Sequence, residues 1–424
     1  MESFKKIGVN VAFQGFGRLI TATASLLVTI LVAQTFGPAS LGDLTKVLSF
    51  VSLFYLVADF GFNAIVVKDI CADEKKTSFY LSNLFSLRIF LSLVLIFLVF
   101  FATLFLPFNL KENTGFSPWV KTGIIFASLT ILTQAVINST NGFFQAKLRY
   151  DKSTLALFFG SLTTVFLTVI FLSYAFFSWP NALQPIIFAY VFGAIISSLL
   201  AFSFVRKEIP DFGLNLNFNF WKNLLKRTWP IGLTLIFNLI YFRVDMLILA
   251  LVKSSSEVGL YGLSYKVFDL ALVFPIFLIN ASYPVMVSSL AQSKEELLKF
   301  SKKILAVLLA VSLLAFIVIF IFSPQIIKII GGESFFGSIF SLRILVLGLP
   351  VFYLSAFLMW LLIIFEDQKL LIFIYSFGAF LNILLNIIFI PQFGYLAAAA
   401  TTGISEFIIL LVSSFFVIRK FKTP

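Results

Sequence analysis

The chain has 424 residues, of which 60% are hydrophobic and 12% charged, and its mean hydropathy is +1.05. Soluble globular domains are about 45–50% apolar and about 25% charged, so the composition excludes that class and predicts a polytopic membrane protein. The formal charge is +12, with no histidine and one cysteine, Cys71, which excludes an intrachain disulfide and argues against any metal cluster or resident cofactor.

About 20 consecutive apolar residues span a bilayer, and on this criterion the sequence predicts twelve transmembrane helices. The first follows a positively charged start without a convincing cleavage site, so it is predicted to be retained. The predicted spans are 10–35, 44–66, 79–106, 119–143, 154–177, 185–205, 229–252, 259–286, 304–323, 340–365, 370–390 and 395–418.

Turn-forming residues separate several of these spans. The stretches TFGPASLG at 35–42, SWPNALQP at 178–185 and PQFG at 391–394 predict tight turns. Prolines inside predicted spans indicate bends of the kind that transporters use for gating. These prolines are Pro275, Pro284 and Pro350.

The basic residues predict the orientation. Lysines and arginines cluster in alternate connections, as expected for cytoplasmic segments, and this distribution also explains the positive charge without nucleic acid. The opposite connections hold only Lys111, Lys121, Lys253 and Lys328. Because an even number of spans places both termini on one side, both are predicted to be cytoplasmic.

The longest polar connection, 206–228, lies at the middle of the chain, with six predicted spans on either side. We therefore predict an N-terminal six-helix bundle at 1–205, a cytoplasmic linker at 206–228 and a C-terminal six-helix bundle at 229–424. Six spans per half give both halves the same orientation, so an internal repeat would be parallel. FGPASLGDLTKV resembles SSSEVGLYGLSYKV, with Gly42 opposite Gly259.

Charged residues inside the predicted spans are candidates for function, because a charge at the bilayer centre costs at least about 2.5–3.5 kcal/mol. Counting about 1.5 Å per residue from the turn near residue 255 places four of them about 15–21 Å deep, near the midplane. They are Arg243, Asp245, Lys266 and Asp269.

The spacing of these four residues predicts how they pair. Lys266 and Asp269 are three residues apart and can pair along their own helix, either as a structural pair or within a site. That arrangement leaves Arg243 to face a cavity. Asp245, about 200° away around the helix, is predicted to point into the bundle interior or to form a coupling site.

The remaining intramembrane charges have two interpretations each. Arg18 and Asp59 lie at one depth near the cytoplasmic face, as a structural pair or as part of substrate entry. Glu406 either anchors the last helix or has a functional role. Three further basic residues near span ends are predicted to be interfacial anchors whose side chains extend to the lipid surface. These are Lys46, Arg88 and Arg343.

Three stretches carry a resemblance to a known family: ILVAQTFGPASLGDLTKVLSFVSLFYLVADFGFNAIVVKDI at 30–70, NGFFQAKLRYDK at 141–152 and NIIFIPQFGYLAAAATTGISE at 386–406. In these stretches, and in length, span number and order, the chain resembles the polysaccharide (O-antigen type) flippases of the multidrug/oligosaccharidyl-lipid/polysaccharide (MOP) exporter superfamily. The resemblance implies an all-α MATE-like fold of twelve transmembrane helices in two bundles.

The resemblance also implies a function. These flippases move a polyprenyl-diphosphate-linked oligosaccharide by alternating access from the inner to the outer leaflet of the bacterial or archaeal cytoplasmic (inner) membrane. They use a cationic central cavity, which Arg243, Lys266 and Arg18 match in depth and charge. We expect a monomeric transporter whose partners are membrane lipid, the lipid-linked oligosaccharide, the polysaccharide polymerase and the chain-length machinery.

Two alternative functions would each need particular residues. An ion-coupled multidrug-type antiporter of the same superfamily would use Asp59, Asp245 or Asp269 to bind H+ or Na+. A membrane enzyme such as a glycan polymerase would need catalytic groups in a sizeable outer loop. Neither predicted long outer loop, 107–118 or 324–339, has a carboxylate or histidine cluster, so no enzyme is predicted.

Overall fold

The computed structural model describes residues 2–178 and 183–422. Within them the chain is almost entirely helical, as predicted, and a two-residue antiparallel hairpin of β1 (Phe108–Asn109) and β2 (Thr114–Gly115) is its only sheet. The helices are α1 (Glu2–Asp59), α2 (Phe62–Ala72), α3 (Thr77–Phe105), α4 (Pro118–Ala127), α5 (Leu129–Ala146), α6 (Tyr150–Ser178), α7 (Leu183–Glu208), α8 (Phe218–Val252), α9 (Ser255–Ala271), α10 (Val273–Gln292), α11 (Lys294–Gly331), α12 (Ser338–Leu347), α13 (Leu349–Ile364) and α14 (Gln368–Lys422).

Two of the helical stretches are too long to cross a membrane once. In the described chain nine stretches qualify as spans, and the bent pair α12–α13 makes a tenth. Ala12–Ala72 has 61 residues and Lys369–Lys422 has 54. A straight 61-residue helix would be about 90 Å long, about three times the hydrocarbon thickness. Each therefore accommodates two passes, and the ten stretches fit the twelve predicted crossings.

Glycines in the left-handed region break both long stretches. Gly37 has a φ of 75° and Gly394 a φ of 59°, a conformation that side chains with a Cβ rarely adopt. They lie in the predicted turns at 35–42 and 391–394, which are thereby confirmed. The predicted turn at 178–185 includes residues 179–182, which lie outside the described residues.

Serine caps fix the starts of two helices. The Ser254 side chain accepts a hydrogen bond from Glu257 N, and Ser293 accepts one from Glu296 N. Both are Ser-x-x-Glu sequences that favour a helix start. Consequently α11 begins at Lys294, before residue 304, where the predicted span starts. It also continues past Pro324 to Gly331, so the predicted outer loop at 324–339 is largely helical.

Two of the three predicted proline bends coincide with helix breaks. The axes of α12 and α13 differ by 44°, and Pro350 lies in the first turn of α13, where its missing amide hydrogen costs no helical bond. Pro275 follows the break between α9 and α10, whereas Pro284 lies inside α10.

The exposed face of α3 is apolar over its length. Phe90, Leu93, Phe97, Phe101 and Leu104 are all exposed and recur at helical spacing. In water such a stripe would be an aggregation hazard, whereas lipid solvates it. This face therefore supports the membrane assignment that the composition predicted.

The chain forms two compact units. Unit 1 comprises Met1–Phe36 and Asp43–Ile236, and unit 2 comprises Gly37–Gly42 and Phe237–Pro424. The division falls inside α8 rather than in the polar connection at 206–228. The reason is that this connection carries apolar anchors: Phe212 and Trp221 are both buried in hydrophobic clusters of unit 1.

Two glycines make a reciprocal backbone contact within unit 2. A Cβ on Gly42 would lie 1.7 Å from the Ser255 carbonyl oxygen, and a Cβ on Gly259 would lie 2.0 Å from the Pro38 carbonyl oxygen. Each glycine thus meets the carbonyl four residues before the other. Gly42 and Gly259 are the two glycines that lie opposite each other when FGPASLGDLTKV is compared with SSSEVGLYGLSYKV.

We predict that Gly42→Ala and Gly259→Ala each lower the free energy of unfolding by about 1–3 kcal/mol, because the new methyl group forces two backbones apart. The measurement is thermal unfolding of the purified protein in detergent. Gly403→Ala is the matched control, since no atom lies within 4 Å of its added Cβ. Its midpoint should stay the same or rise. Equal midpoints for all three variants would contradict the close contact.

Candidate functional site

One stripe of α9 faces α8 in unit 2. Tyr261, Tyr265 and Asp269 follow one another at intervals of four residues, so they lie on one face of α9. The Tyr265 hydroxyl donates to the Phe242 carbonyl oxygen of α8 at 3.1 Å. The stripe therefore runs along the part of α8 that holds Arg243 and Asp245.

Arg243, which is predicted to face a cavity, has an ion-pair partner on the next helix, α9. Its Nη2 lies 3.7 Å from Asp269 Oδ2, and its guanidinium carbon lies 5.5 Å from the centre of the Tyr265 ring. The contact is long for an ion pair, and the two side chains remain 34% and 37% exposed. Arg243 is thus oriented by α9 but keeps hydrogen-bond donors available.

Lys266 shares the same carboxylate. The prediction paired Asp269 with Lys266 alone, one turn away on α9. In the structure Asp269 interacts electrostatically with both Lys266 and Arg243, because the guanidinium reaches across from α8. The half-buried part of the site therefore holds two cations around one carboxylate, and Arg243 also interacts electrostatically with the buried Asp245.

Asp245 occupies a separate, closed environment. Its side chain accepts hydrogen bonds from the Tyr261 hydroxyl at 2.5 Å, from Thr402 at 3.2 Å and from the Met246 backbone amide at 2.7 Å. Asp245 is only 2% exposed. Three neutral donors thus surround the Asp245 carboxylate at the depth of Arg243. Through Thr402, the second half of α14 also contributes to this environment.

Glu406 lies in a similar environment one turn further along α14. It accepts a hydrogen bond from Tyr241 of α8 at 2.5 Å and another from Ser355 of α13. In the part of the chain that the structure describes, no lysine or arginine forms an ion pair with Glu406 or Asp245. Unit 2 therefore buries two carboxylates that only neutral groups contact.

Asp59 in unit 1 pairs with Arg88, and the predicted pairing with Arg18 is wrong. Arg88 Nη2 lies 2.5 Å from Asp59 Oδ1 and also donates to the Asp59 carbonyl oxygen, while Nη1 donates to Asn63 Oδ1 at 3.0 Å. Asp59 is the last residue of α1, and the chain turns at Phe60 and Gly61, both with positive φ. Arg88 therefore caps the broken helix end.

Three predicted interfacial anchors have internal partners instead. Arg88 is 0% exposed, because α3 begins at Thr77 and places it about 17 Å from the helix start. Lys46 is buried and donates to the Gly115 carbonyl oxygen at 2.6 Å. Arg343 Nε donates to Ser323 of α11 at 2.9 Å. By contrast, Arg18 is exposed on α1.

An amide pair lies half-exposed near the middle of a span in unit 1. Gln134 Nε2 donates to Asn138 Oδ1 one turn later on α5, at 2.8 Å. The span runs from Pro118 to Ala146, so Gln134 is close to its midpoint. Polar groups at this depth normally face protein or water rather than lipid. The pair therefore indicates a face of α5 that is turned toward protein or water rather than lipid.

Sequence reasoning missed the tyrosines and hydroxyls that surround the carboxylates. The four-residue spacing of Tyr261, Tyr265 and Asp269 was a readable signal, since it places them on one helix face. Tyr241 and Ser355 gave no such signal. They meet Glu406 only through the packing of α8, α13 and α14, which no local pattern encodes.

Residues 7–290 of the chain match the family model described as "polysaccharide biosynthesis protein", and residues 230–388 match a model described as "MatE". No curated protein sequence matches the chain. The first model spans about two thirds of the chain and both six-helix halves contribute to it.

Solved structures of transporters share the fold. A lipid II flippase MurJ in an inward closed conformation has a TM-score of 0.77 at 17% identity, over 97% of this chain and 89% of that one. An inward-facing multidrug resistance MATE transporter of the MOP superfamily has a TM-score of 0.75 at 14% identity, over 95% and 94%. A MOP transporter from Pyrococcus furiosus, described as having a binding pocket of reversed polarity, scores 0.69 at 15% identity, over 98% and 95%.

These identities establish the fold alone. The predicted MATE-like architecture of a polytopic, all-α membrane protein is confirmed by them.

We predict that Arg88 and Asp59 are energetically coupled and that Arg18 and Asp59 are not. In a double-mutant cycle with Arg88→Met and Asp59→Asn, the coupling energy for unfolding should exceed about 1 kcal/mol, because the pair is short and its cation is fully buried. The matched cycle with Arg18→Met should give less than about 0.5 kcal/mol. Unfolding of the detergent-solubilised variants provides the measurement. The reverse order of coupling energies would refute the structural pairing.

Proposed function

Because the chain belongs to the polysaccharide biosynthesis protein family, we propose that it flips a polyprenyl-diphosphate-linked oligosaccharide from the inner to the outer leaflet of the cytoplasmic membrane by alternating access. At the coarser level the chain is a multi-pass transporter of the MOP superfamily. The family description and the lipid II flippase among the structural neighbours support this proposed substrate class.

The observation that carries the proposal is the loose hold on Arg243 near the midplane. Its guanidinium lies 3.7 Å from the Asp269 carboxylate, its side chain is 34% exposed, and Lys266 adds a second cation beside the same carboxylate. A diphosphate crossing hydrocarbon needs such a partner, and the planar arginine fork can donate two hydrogen bonds to it. Because the contact between Arg243 and Asp269 is long, little interaction energy is lost when phosphate oxygens replace the carboxylate.

The amide pair of α5 is proposed as a separate polar contact for sugar hydroxyl groups within unit 1. Gln134 and Asn138 offer uncharged donors and acceptors, which match the hydroxyl groups of a glycan better than a hydrophobic drug. Arg18, exposed on α1, is proposed as an additional cation on the entry route.

Ion coupling is proposed for Asp245. Of the three candidate coupling aspartates, Asp59 forms an ion pair with Arg88 and Asp269 forms one with Arg243. The described hydrogen-bond partners of Asp245 are hydroxyl and amide groups, and Arg243 acts on it electrostatically without forming a described ion pair. A buried carboxylate without a cation in direct contact is costly unless it binds a proton or a metal cation. Binding of H+ or Na+ there would connect α8, α9 and α14.

A multidrug-type antiporter is the second candidate, because the "MatE" model matches residues 230–388. It predicts drug resistance without any change in surface glycan. The flippase predicts that deletion of the gene stalls surface polysaccharide and leaves repeat units in the inner leaflet. The flippase proposal also includes that the protein acts as a monomer. Its proposed protein partners are the polysaccharide polymerase and the chain-length machinery.

We predict that Arg243→Ala reduces translocation by more than about tenfold, since a hydrogen bond to a charged group contributes about 1.5–3 kcal/mol. The assay follows a labelled polyprenyl-diphosphate oligosaccharide in proteoliposomes, normalised to inserted protein. Arg243→Lys should retain intermediate activity, because it keeps the charge but loses the fork.

Lys328→Ala is the matched control for Arg243→Ala, because this exposed lysine lies in the last turn of α11, outside the site. It should leave translocation unchanged. If Arg243→Ala lowers only the amount of inserted protein and not the rate per molecule, its role is structural and the diphosphate assignment is wrong.

We predict that Asp245→Asn abolishes the dependence of translocation on pH or Na+ while substrate still binds, because the amide cannot exchange a proton or neutralise a cation. The comparison is made with Asp59→Asn, which should chiefly lower stability and leave the ion dependence intact. Transport is measured under imposed H+ and Na+ gradients. Unchanged ion dependence in Asp245→Asn would remove this residue from the coupling site.

A further inference from the structure

The connection between α7 and α8 together with the first residue of α8, residues 209–218, forms a strap that lies along α3. Its Phe212 is buried among Leu81, Phe85 and Phe143. Beyond Phe212 the chain has no regular secondary structure until α8 begins at Phe218. The buried Trp221 in the first turn of α8 donates through its indole nitrogen to the Asn83 carbonyl oxygen at 3.1 Å. The strap is therefore held at both ends.

Two serines of α3 bind the strap between these ends. The Gly213 amide donates to Ser82 Oγ at 3.3 Å, and the Asn215 amide donates to Ser86 Oγ at 2.7 Å. The serines are one helical turn apart, and the two amides are two residues apart. Alternate backbone amides of the strap thus point toward α3.

The alternation leaves large apolar side chains on the outer side. Leu214 is 71% exposed, Leu216 is 64% exposed and Phe218 is 70% exposed. Such residues recur at every second position, although the segment is otherwise polar. Their spacing is the same as that of the amides that bind α3. The strap therefore has one side held by α3 and one apolar side that is largely exposed, although the Phe218 ring contacts Trp221.

The position of the strap along α3 places this apolar side at the edge of the hydrocarbon. The 29 residues of α3 extend about 43 Å, longer than the roughly 30 Å hydrocarbon layer. Centred in the membrane, α3 would enter hydrocarbon about 7 Å from its start, which is the level of Ser82. A backbone amide at this depth needs a partner within the protein, which explains the two serine contacts.

The apolar side continues into the lipid-facing surface of α3. Trp221 packs against both Phe218 and the exposed Phe90, with ring centroids 5.1 Å and 5.8 Å apart. Phe90 begins the apolar stripe of α3. Lys222 and Lys226 are exposed on the following turns of α8, where they can reach phosphate groups.

We propose that the strap is an interfacial membrane anchor: Leu214, Leu216 and Phe218 insert among the acyl chains of the leaflet in which α3 begins, and Lys222 and Lys226 bind anionic lipid headgroups. The proposal does not rest on the transported substrate. It makes the connection between the two halves a lipid-binding element rather than a free cytoplasmic linker.

The test uses nitroxide labels on single cysteines. Cys71→Ser removes the only native thiol. Labels are then placed at Leu214, Leu216 or Phe218, with Phe97 of α3 as the lipid control and the exposed Lys302 of α11 as the water control. Collisions with oxygen and with a water-soluble nickel chelate are measured in nanodiscs of phosphatidylcholine and phosphatidylglycerol.

The three strap labels should resemble the Phe97 label, with high oxygen and several-fold lower nickel accessibility than the Lys302 label. Nickel accessibility equal to that at Lys302 would overturn the proposal by placing the strap in water. Protection from both reagents would also overturn it, since a protein surface would then cover the strap.

The headgroup part is tested with Lys222→Gln/Lys226→Gln. In nanodiscs that contain phosphatidylglycerol this variant should shift the Leu214 label toward water, and in pure phosphatidylcholine it should match the parent. The exposed Lys302→Gln is the charge-matched control and should have no effect on the label. An equal shift in both lipids would refute the role of anionic headgroups.

Discussion

A polar group inside hydrocarbon has to find its partner within the protein, and this constraint decides the position of each charged side chain in the molecule. Arg88 and Lys46 satisfy it with short contacts, at 2.5 Å and 2.6 Å, and are fully enclosed. Arg243 and Asp269 satisfy it only loosely, at 3.7 Å and with about a third of each side chain exposed. Arg88 and Lys46 thus have fixed internal contacts, whereas the guanidinium of Arg243 is only loosely held.

Counting residues from the turns located the midplane charges because every helix rises by the same amount per residue. Arg243, Asp245, Lys266 and Asp269 were placed at one level in this way, and Arg243 and Asp269 meet in the structure. Counting cannot give partners on other helices. Arg88 was mistaken for an anchor because its partner Asp59 is reached only where α1 breaks. The twelve crossings and the glycine turns could be predicted from the sequence, because the length of an apolar run and the glycine of a turn are both local signals.

The connection between the halves shows a different limit of sequence reading. Its charges suggested a solvated linker, but the residues that determine its position are Phe212 and Trp221, which are few and widely spaced. Their burial fastens the connection to unit 1, so the first turns of α8 belong to that unit as well.

The reciprocal contact of Gly42 and Gly259 has a consequence for dividing the protein. The chain passes between the units at three places, 36/37, 42/43 and 236/237, because Gly37–Gly42 packs with unit 2. No single cut can therefore yield two self-sufficient fragments. A C-terminal fragment beginning at Phe237 would lack the hexapeptide that contains Gly42, and Gly259 would face an empty groove where the Pro38 carbonyl belongs. Reassembly from fragments would require the N-terminal piece to return that hexapeptide, which makes it a built-in register for joining the two halves.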